Sequence, residues 1–235
     1  MTDFLQKFII KASQVGPNRV LKSSALFLAI QEISIAHTEA LGFPKETTLE
    51  KGLLWVIAKE HIKIIRMPRY DEEVILSTYP HQMMHSLFPR SYEIKDKNGN
   101  LLIIGSAIWT LIDIKTRKIV NPIDHNILIP DLSNGRDFSM PLSNKFLKEY
   151  DNETTLKAMY SYCDLNKHLN NSSYLDLMEN LLPLDYLENH EISLIDIEFL
   201  REIKLGEDFN VRYGLKDDVY YFSSPSFKLK LAYRK

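Results

Sequence analysis

Hydrophobic residues recur at helical spacing in one long segment near the start of the chain, residues 23–41. Apolar side chains spaced three and four apart fall on one side of this segment: Leu26, Ala29, Ile30, Ile33 and Ala36. This spacing predicts an amphipathic helix whose apolar side faces a core. Gly42 and Pro44 follow, and a glycine and a proline just beyond the pattern are typical of a helix end.

Four runs rich in β-branched and aromatic residues come next, and such runs predict strands. Their sequences are LLWVIAKEHIKIIRM, EEVILSTYP, LFPRSYEIKD and NLLIIGSAIWTLIDI. Asn98 and Gly99 stand between the last two runs, and this dipeptide is a strong signal for a tight hairpin. We therefore predict that the first half contains one long helix and an antiparallel sheet.

The same order of elements returns in the second half of the chain. An extended segment, TTLKAMYSYCDL, precedes NNSSYLDLMENLL, where Tyr174, Leu177, Met178 and Leu181 share a helical face. This pattern predicts a second helix over residues 171–182. The runs ISLIDIEFLREI, DFNVRYGL and FKLKLAYR then predict further strands.

A stretch of different composition separates the halves. Residues 120–141 hold three prolines and a glycine among Asn, Asp and Ser, which is typical of a linker. We expect an N-terminal unit at residues 1–130, a linker at 131–150 and a C-terminal unit at 151–235. A helix wrapped by an antiparallel sheet, occurring twice, is typical of an α+β tandem (double) hotdog fold. The two sheets would pair, so that the chain forms its own dimer.

The two halves differ in their polar residues. Aligning NRVLKSSALFLAIQE with NKHLNNSSYLDLMEN places Val20 on His168. Aligning IIRMPRYDEEVIL with FLREIKLGEDFNV places Met67 on Glu202. The partial matches indicate a duplicated unit, and the differences place the polar chemistry in the second half.

Composition excludes several classes of protein. Of 235 residues, 45% are hydrophobic and 26% charged, which is typical of a globular domain. The net charge of −2 offers no basic surface for nucleic acid or an anionic membrane. The single cysteine, Cys163, cannot form an internal disulfide, and the start MTDFLQKFII lacks the apolar run of a signal peptide or membrane span. We expect a cytoplasmic protein.

The seven histidines show no ligand-like clustering, so we expect no metal. His81 and His85 flank two methionines and are expected on a surface loop. Glycine-rich phosphate-binding loops are absent from the sequence, and we expect no cofactor. The basic cluster at residues 115–118 is expected to be a solvated loop, and contact with an acidic protein partner is a second interpretation.

Three segments together resemble the acyl-acyl carrier protein (acyl-ACP) thioesterases, the family of the plant plastid enzymes and their bacterial relatives. They are NRVLKSSALFLAIQEISIAH, the WVIAKEHIKIIRMPRYDEEVILSTYP region with SAIWTLIDIKTRK, and DLNKHLNNSSYLDLMEN with IEFLREIKLGED. The resemblance implies hydrolysis of fatty acyl-ACP to a free fatty acid, with acyl carrier protein as the partner. It also implies that Asp164, Asn166 and His168 are active-site residues and that Glu202 is their acidic partner.

The chemistry of thioester hydrolysis agrees with these residue types. Water must be activated, or the carbonyl attacked directly, and the resulting oxyanion must be stabilised. His168 is of a type that titrates near neutrality, and Glu202 could serve as base or nucleophile. The start of the second helix, near Asn171, would offer N–H groups to the oxyanion. The simpler interpretation is that Asp164 and Asn166 only cap that helix.

One position departs from the family pattern. Many members have Cys directly after the Glu, whereas this chain has Ile203. Cys163 is no substitute, because it precedes Asp164 by one residue and would point to the other face of a strand. The sequence therefore disfavours a Cys–His mechanism and favours attack by water assisted by Glu202.

Two other functions fit the same residues. One is hydrolysis of acyl-coenzyme A, which uses the same chemistry on a different carrier. The other is an acyl-binding hotdog protein with weak catalysis. Because the polar residues lie in the second half, we expect the first half to hold the acyl chain. Chain length, carrier preference and assembly into a homodimer are left open by the sequence.

Overall fold

The computed structural model describes residues 4–139 and 147–235. The helices are α1 (Ser23–Ala40), α2 (Lys45–Glu50), α3 (Ser173–Glu179) and α4 (Leu184–Asn189). The strands of the first half are β1 (Phe4–Ile9), β2 (Leu53–Ile64), β3 (Glu73–Pro80), β4 (Leu87–Asp96) and β5 (Leu101–Asp113). Those of the second half are β6 (Asn152–Lys157), β7 (Glu191–Phe199), β8 (Asp208–Lys216), β9 (Val219–Ser223) and β10 (Phe227–Arg234).

Within the described residues these strands form one antiparallel sheet in the order β1-β3-β4-β5-β2-β7-β10-β9-β8-β6. Read outward from the centre, the second half repeats the order of the first. Strands β2 and β7 pair at the centre, with Lys59 opposite Glu198 and Ile62 opposite Ile195. This arrangement confirms the predicted tandem hotdog fold, since the two five-stranded sheets join into one surface.

Helix α1 ends within one residue of its predicted limit, but its buried face differs from the prediction. Leu26, Ile30 and Ile33 are buried as expected, whereas Ala29 and Ala36 are only partly buried. The buried face also includes polar residues: Ser34 is buried, and its hydroxyl lies 3.1 Å from the Tyr92 hydroxyl on β4. The buried face of α1 is therefore turned towards Ser34 relative to the predicted face. Hydrophobicity alone does not predict this difference, because the buried serine depends on a polar partner in the sheet.

A polar layer lies inside the first unit, between α1 and the sheet. Arg90 is 5% exposed and donates to His37 Nδ1 at 3.1 Å and to Thr78 Oγ1 at 3.2 Å. Burial, with a smaller effect of Arg90, lowers the pKa of His37 to about 4, so its ring is a neutral acceptor. His81 was expected on a surface loop, but it is buried and hydrogen-bonded to Ser91 at 2.8 Å.

The duplication extends to local hydrogen bonds. In the first unit the Gly16 amide donates to the Val20 carbonyl at 2.9 Å, and in the second the Asp164 amide donates to the His168 carbonyl at 2.8 Å. The ion pair of Arg66 with Glu72 in the first unit likewise has a counterpart in the second unit. Its counterpart joins Arg201 to Glu207, with N–O distances of 2.6 and 2.5 Å respectively.

The second predicted helix is shorter than expected. The prediction covered residues 171–182, whereas α3 ends at Glu179 and Pro183 precedes α4. A proline disfavours helical conformation in the residue before it, so the apolar pattern outlasts the helix.

The predicted linker at residues 131–150 includes 140–146, which lie outside the described residues. Ahead of this gap, the chain packs on the first unit: Ile127 and Ile129 are buried, and the Ser139 carbonyl accepts from Ser106 at 2.7 Å. No helix in the described part of the chain is long and apolar enough to cross a membrane.

Candidate active site

A tight turn leads from the extended segment after β6 towards α3. The Asp164 carboxylate accepts hydrogen bonds from the backbone amides of Asn166 at 2.9 Å and His168 at 3.1 Å. The Asn166 side-chain amide lies 3.4 Å from the other Asp164 oxygen. Lys167 adopts a left-handed conformation with φ 62°. Asp164 and Asn166 thus build the turn that carries His168.

The first unit forms the same turn without an aspartate. Gly16 stands in place of Asp164, and the Asn18 side chain accepts from the Val20 amide at 3.1 Å. Arg19 matches Lys167, also with φ 62°. Because both units make this turn, its shape alone does not distinguish the second unit. The distinguishing features are the side chains that the second unit adds to it.

The structure brings His168 and Glu202 together. A bridge between His168 and Lys204 aligns the turn with the segment that follows β7. His168 Nδ1 then lies 3.6 Å from Glu202 Oε1, and the two side chains are 19% and 36% exposed. The equivalent first-unit residues are Val20 and the buried Met67, so the polar pair is specific to the second unit.

Arg117, from the first unit, completes this pair and was not predicted as a site residue. Its Nε donates to Glu202 Oε2 at 3.0 Å, and its Nη2 donates to Glu202 Oε1. The sequence placed Arg117 in a basic cluster expected to be a solvated loop. The only signal was that cluster itself, since its partner lies 85 residues further along the chain.

The turn after β5 holds Arg117 in position. Asp113 Oδ1 accepts from the backbone amides of Lys115 and Thr116, at 3.0 and 2.7 Å. The Arg117 amide donates to the Asp113 carbonyl at 2.9 Å, and Arg117 has φ 58°. A left-handed conformation is uncommon for a residue other than glycine and persists only where its surroundings enforce it. The turn therefore fixes the backbone of Arg117, from which its side chain extends to Glu202.

The charges around His168 favour its neutral form. Partial burial lowers the pKa of His168, and the Arg117 cation lowers it further, while Asp164 acts in the opposite direction. A neutral imidazole can accept a proton, which a general base must do. The site therefore presents a proton acceptor next to an ionic pair.

Cys163 has the properties of a packing residue. Its side chain is partly buried against the hydrophobic core. Burial and the neighbouring Asp164 raise the pKa of the thiol, which keeps it protonated. Because the thiolate is the reactive form, the thiol is a poor nucleophile. Ile203, at the position where many family members have Cys, is fully buried.

The start of α3 differs from the expected oxyanion site. The helix spans seven residues, and the first amides are already used locally. Asn170 accepts from the Ser172 amide through its side chain and from the Ser173 amide through its carbonyl, at 3.0 and 2.9 Å. These N–H groups are not free to hold an oxyanion.

Within residues 4–139 and 147–235, no group of three or more His, Cys, Asp and Glu side chains is arranged to hold a metal ion. The site chemistry available from these residues is that of an imidazole, a carboxylate and a guanidinium. Such a set can move a proton and stabilise charge.

Two protein-family models match the chain over most of its length. Residues 2–128 match the acyl-ACP thioesterase N-terminal domain, and residues 146–229 match the C-terminal domain. A chloroplastic acyl-[acyl-carrier-protein] hydrolase of Cuphea viscosissima is 24% identical over 215 residues, covering 85% of this chain and 52% of its own. A chloroplastic oleoyl-acyl carrier protein thioesterase of Arabidopsis thaliana is 23% identical over 223 residues, covering 85% and 60%. The chain thus spans about half the length of these plant relatives.

Solved structures share the fold over nearly the whole chain. An acyl-ACP thioesterase from Bacteroides thetaiotaomicron superposes with a TM-score of 0.83 at 19% identity, covering 98% of this chain and 97% of that one. The 12:0-ACP thioesterase from Umbellularia californica also gives 0.83 at 19% identity, covering 99% and 97%. Since the two domain matches together account for most of the sequence, the chain belongs to the acyl-ACP thioesterase family.

Proposed function

We propose that this protein hydrolyses the thioester of fatty acyl-ACP to a free fatty acid and the carrier protein, as part of fatty acid biosynthesis. Family membership supports the reaction class. The observation that carries the proposal is the contact of His168 with Glu202, which occurs in one of two units built on the same turn. A chain that needed this turn only for folding would not require a different polar pair in one copy.

The proposed reaction needs few groups. Water loses a proton to a base as its oxygen bonds to the thioester carbonyl carbon, and a tetrahedral oxyanion forms. Collapse breaks the carbon–sulfur bond, and the phosphopantetheine thiolate takes up a proton. His168 and Glu202 are the proposed catalytic pair, and one of them is the base. Asn166, exposed at the tip of the turn, is the proposed amide donor to the thioester.

We further propose that the acyl chain lies in the first unit. An open groove of about 730 Å³ runs between α1, the edge strand β1 and its neighbour β3. Its lining is mixed: Phe8, Ala29 and Leu76 are apolar, whereas charged residues such as Lys7 and Glu32 also line it. The apolar part favours contact with methylene groups, since each buried methylene is worth about 0.8 kcal/mol. In this proposal the first unit binds the acyl chain and the second unit carries out the hydrolysis.

The test is direct assay of the purified protein with acyl-ACP and acyl-coenzyme A esters from 8 to 18 carbons, measuring released fatty acid. We expect hydrolysis of acyl-ACP to exceed that of matched acyl-coenzyme A esters. A preference for the coenzyme A esters would show that coenzyme A, rather than ACP, is the acyl carrier. Tight binding of acyl-ACP without turnover would instead identify an acyl-binding protein.

A further inference from the structure

We infer that Arg117 is a positioning residue: it fixes the Glu202 carboxylate beside His168, so that the imidazole rather than the carboxylate takes the proton from water. This inference rests on the proposed hydrolysis. It assigns a role to a residue from the first unit in a site otherwise built by the second, and it decides between the two proton acceptors that the sequence left open.

The Glu202 carboxylate is engaged by Arg117 on both of its oxygens. Arg117 donates to both carboxylate oxygens, through Nε to Oε2 and through Nη2 to Oε1. Two-pronged Arg–carboxylate pairs are strong and directional. Hydrogen bonds to a carboxylate stabilise its charged form and weaken it as a base. Glu202 is therefore held as an anion and is poorly suited to deprotonate water.

The same carboxylate faces one nitrogen of the His168 ring. The Glu202 oxygen that receives Arg117 Nη2 is the one 3.6 Å from His168 Nδ1. A carboxylate on that side favours a proton on Nδ1, which leaves Nε2 with its lone pair available. Nε2 can then accept the proton of water as the oxygen–carbon bond forms. The imidazolium so formed lies beside Glu202 and returns the proton to the departing thiolate.

Positive and negative groups around His168 have opposing effects on its protonation. The groups facing His168 are Arg117 from the turn after β5, Asp164 from its own turn, and Glu202, Lys204 and Glu207 from the segment after β7. Without Arg117, the nearby Glu202 anion would raise the pKa of the imidazole, so that more of it is charged near neutral pH. A charged imidazole cannot act as a base. Arg117 therefore keeps His168 available for proton transfer near neutral pH.

The first experiment does not depend on activity. The pKa of His168 is measured by NMR titration of the imidazole in the full-length protein, with its signal assigned from His168→Gln. Arg117→Gln should raise this pKa by about one unit or more, since a nearby cation is lost and Glu202 is released. Lys118→Gln removes the same charge from the adjacent residue and should move it much less. An unchanged pKa in Arg117→Gln overturns the inference.

The second experiment uses the pH dependence of kcat/KM for acyl-ACP. In Arg117→Gln the acid limb should move to higher pH, so that the loss is several-fold near pH 6.5, grows to about tenfold at lower pH and is largely recovered near pH 9. Arg117→Lys keeps the charge but not the two-pronged contact. It should retain the wild-type acid limb with a lower kcat. Uniform loss at every pH would assign Arg117 a merely structural role and reject the inference.

A double variant tests whether Arg117 acts through Glu202. If it does, the effect of Arg117→Gln on kcat/KM should be smaller in a Glu202→Gln background, where only the direct effect of the cation on His168 remains. A loss as large as in the wild-type background contradicts the inference. Absence of hydrolysis by the wild-type protein would defeat the proposed function instead, and the NMR titration would still decide whether Arg117 controls the proton affinity of His168.

Discussion

The Ser23 hydroxyl donates a 2.7 Å hydrogen bond to the Glu179 carboxyl group, joining the first residue of α1 to the last residue of α3. This contact links the helices of the two units on the helical side of the sheet. Burial, with a smaller contribution from Asp176, raises the pKa of Glu179 to about 7, although the Ser23 hydrogen bond opposes the shift. The cross-unit contact therefore contains a carboxyl group that is protonated more readily than usual.

Glu179 should make stability depend on pH. Its ordinary pKa is 4.5, so between about 4.5 and about 7 the unfolded chain loses this proton while the folded protein retains it. The contribution is thus fully present below pH 4.5 and is lost as pH rises towards 7. Glu179→Gln should flatten the free energy of unfolding, measured by urea denaturation, across this window. The exposed Glu188→Gln on α4 should keep the wild-type slope, and an equally steep slope in Glu179→Gln would contradict the assignment.

Loss of either His168 or its carboxylate partner Glu202 should abolish most activity. We expect His168→Ala and Glu202→Ala each to lower kcat by about 10²-fold or more, with modest effects on substrate binding, because their interactions are made mainly in the transition state. Steady-state kinetics with acyl-ACP provides the measurement. Met67→Leu, at the position equivalent to Glu202, serves as the control. Near-normal turnover in both alanine variants would remove these residues from the mechanism.

The cysteine should be dispensable. Cys163→Ala replaces a small, partly buried thiol by a methyl group, and its thiol is held in the unreactive protonated form. Turnover should stay within about twofold of wild type, since general-base catalysis does not involve the thiol. Iodoacetamide should likewise leave activity largely intact. Loss of hydrolysis in Cys163→Ala, with retention in Glu202→Ala, would reverse the assigned chemistry.

Chain-length preference should respond to the groove in the first unit. Ala29→Phe adds a ring where α1 lines the groove, and it should shift the preference towards shorter acyl chains because less apolar length can be accommodated. Ala36→Phe lies two turns further along the same helix and is the matched control. Relative kcat/KM values across the acyl-ACP series measure the shift. An identical profile in a folded Ala29→Phe variant would place the acyl chain elsewhere.

Periodicity was sufficient to predict most strands, the bounds of α1 and the tandem architecture, because these depend on local patterns of apolar residues. The short strands β1 and β9 and the short helices α2 and α4 were not predicted. The rotation of α1 towards Ser34 and His37 was missed, since those side chains are buried by partners in the sheet. The role of Arg117 was missed for a related reason. Its contact with Glu202 exists only after two units come together, and no local pattern encodes it.

The resemblance to a known family identified His168 and Glu202 before any geometry was available, and the structure places them side by side. Their catalytic roles stay a prediction. The oxyanion site was predicted from the free N–H groups of a helix starting near Asn171, whereas α3 starts at Ser173 and Asn170 accepts from the Ser172 and Ser173 amides. Helix ends depend on capping contacts that an apolar pattern does not specify.

The central pairing of β2 with β7 has an evolutionary consequence. Two identical subunits joined along such a seam must change both of their sites with every substitution. A single chain carrying both copies escapes that symmetry, because a substitution in one copy leaves the other intact. The two copies could therefore come to differ, and they do: the first carries Val20 and Met67 where the second carries His168 and Glu202. Covalent linkage made specialisation of the two copies available to selection.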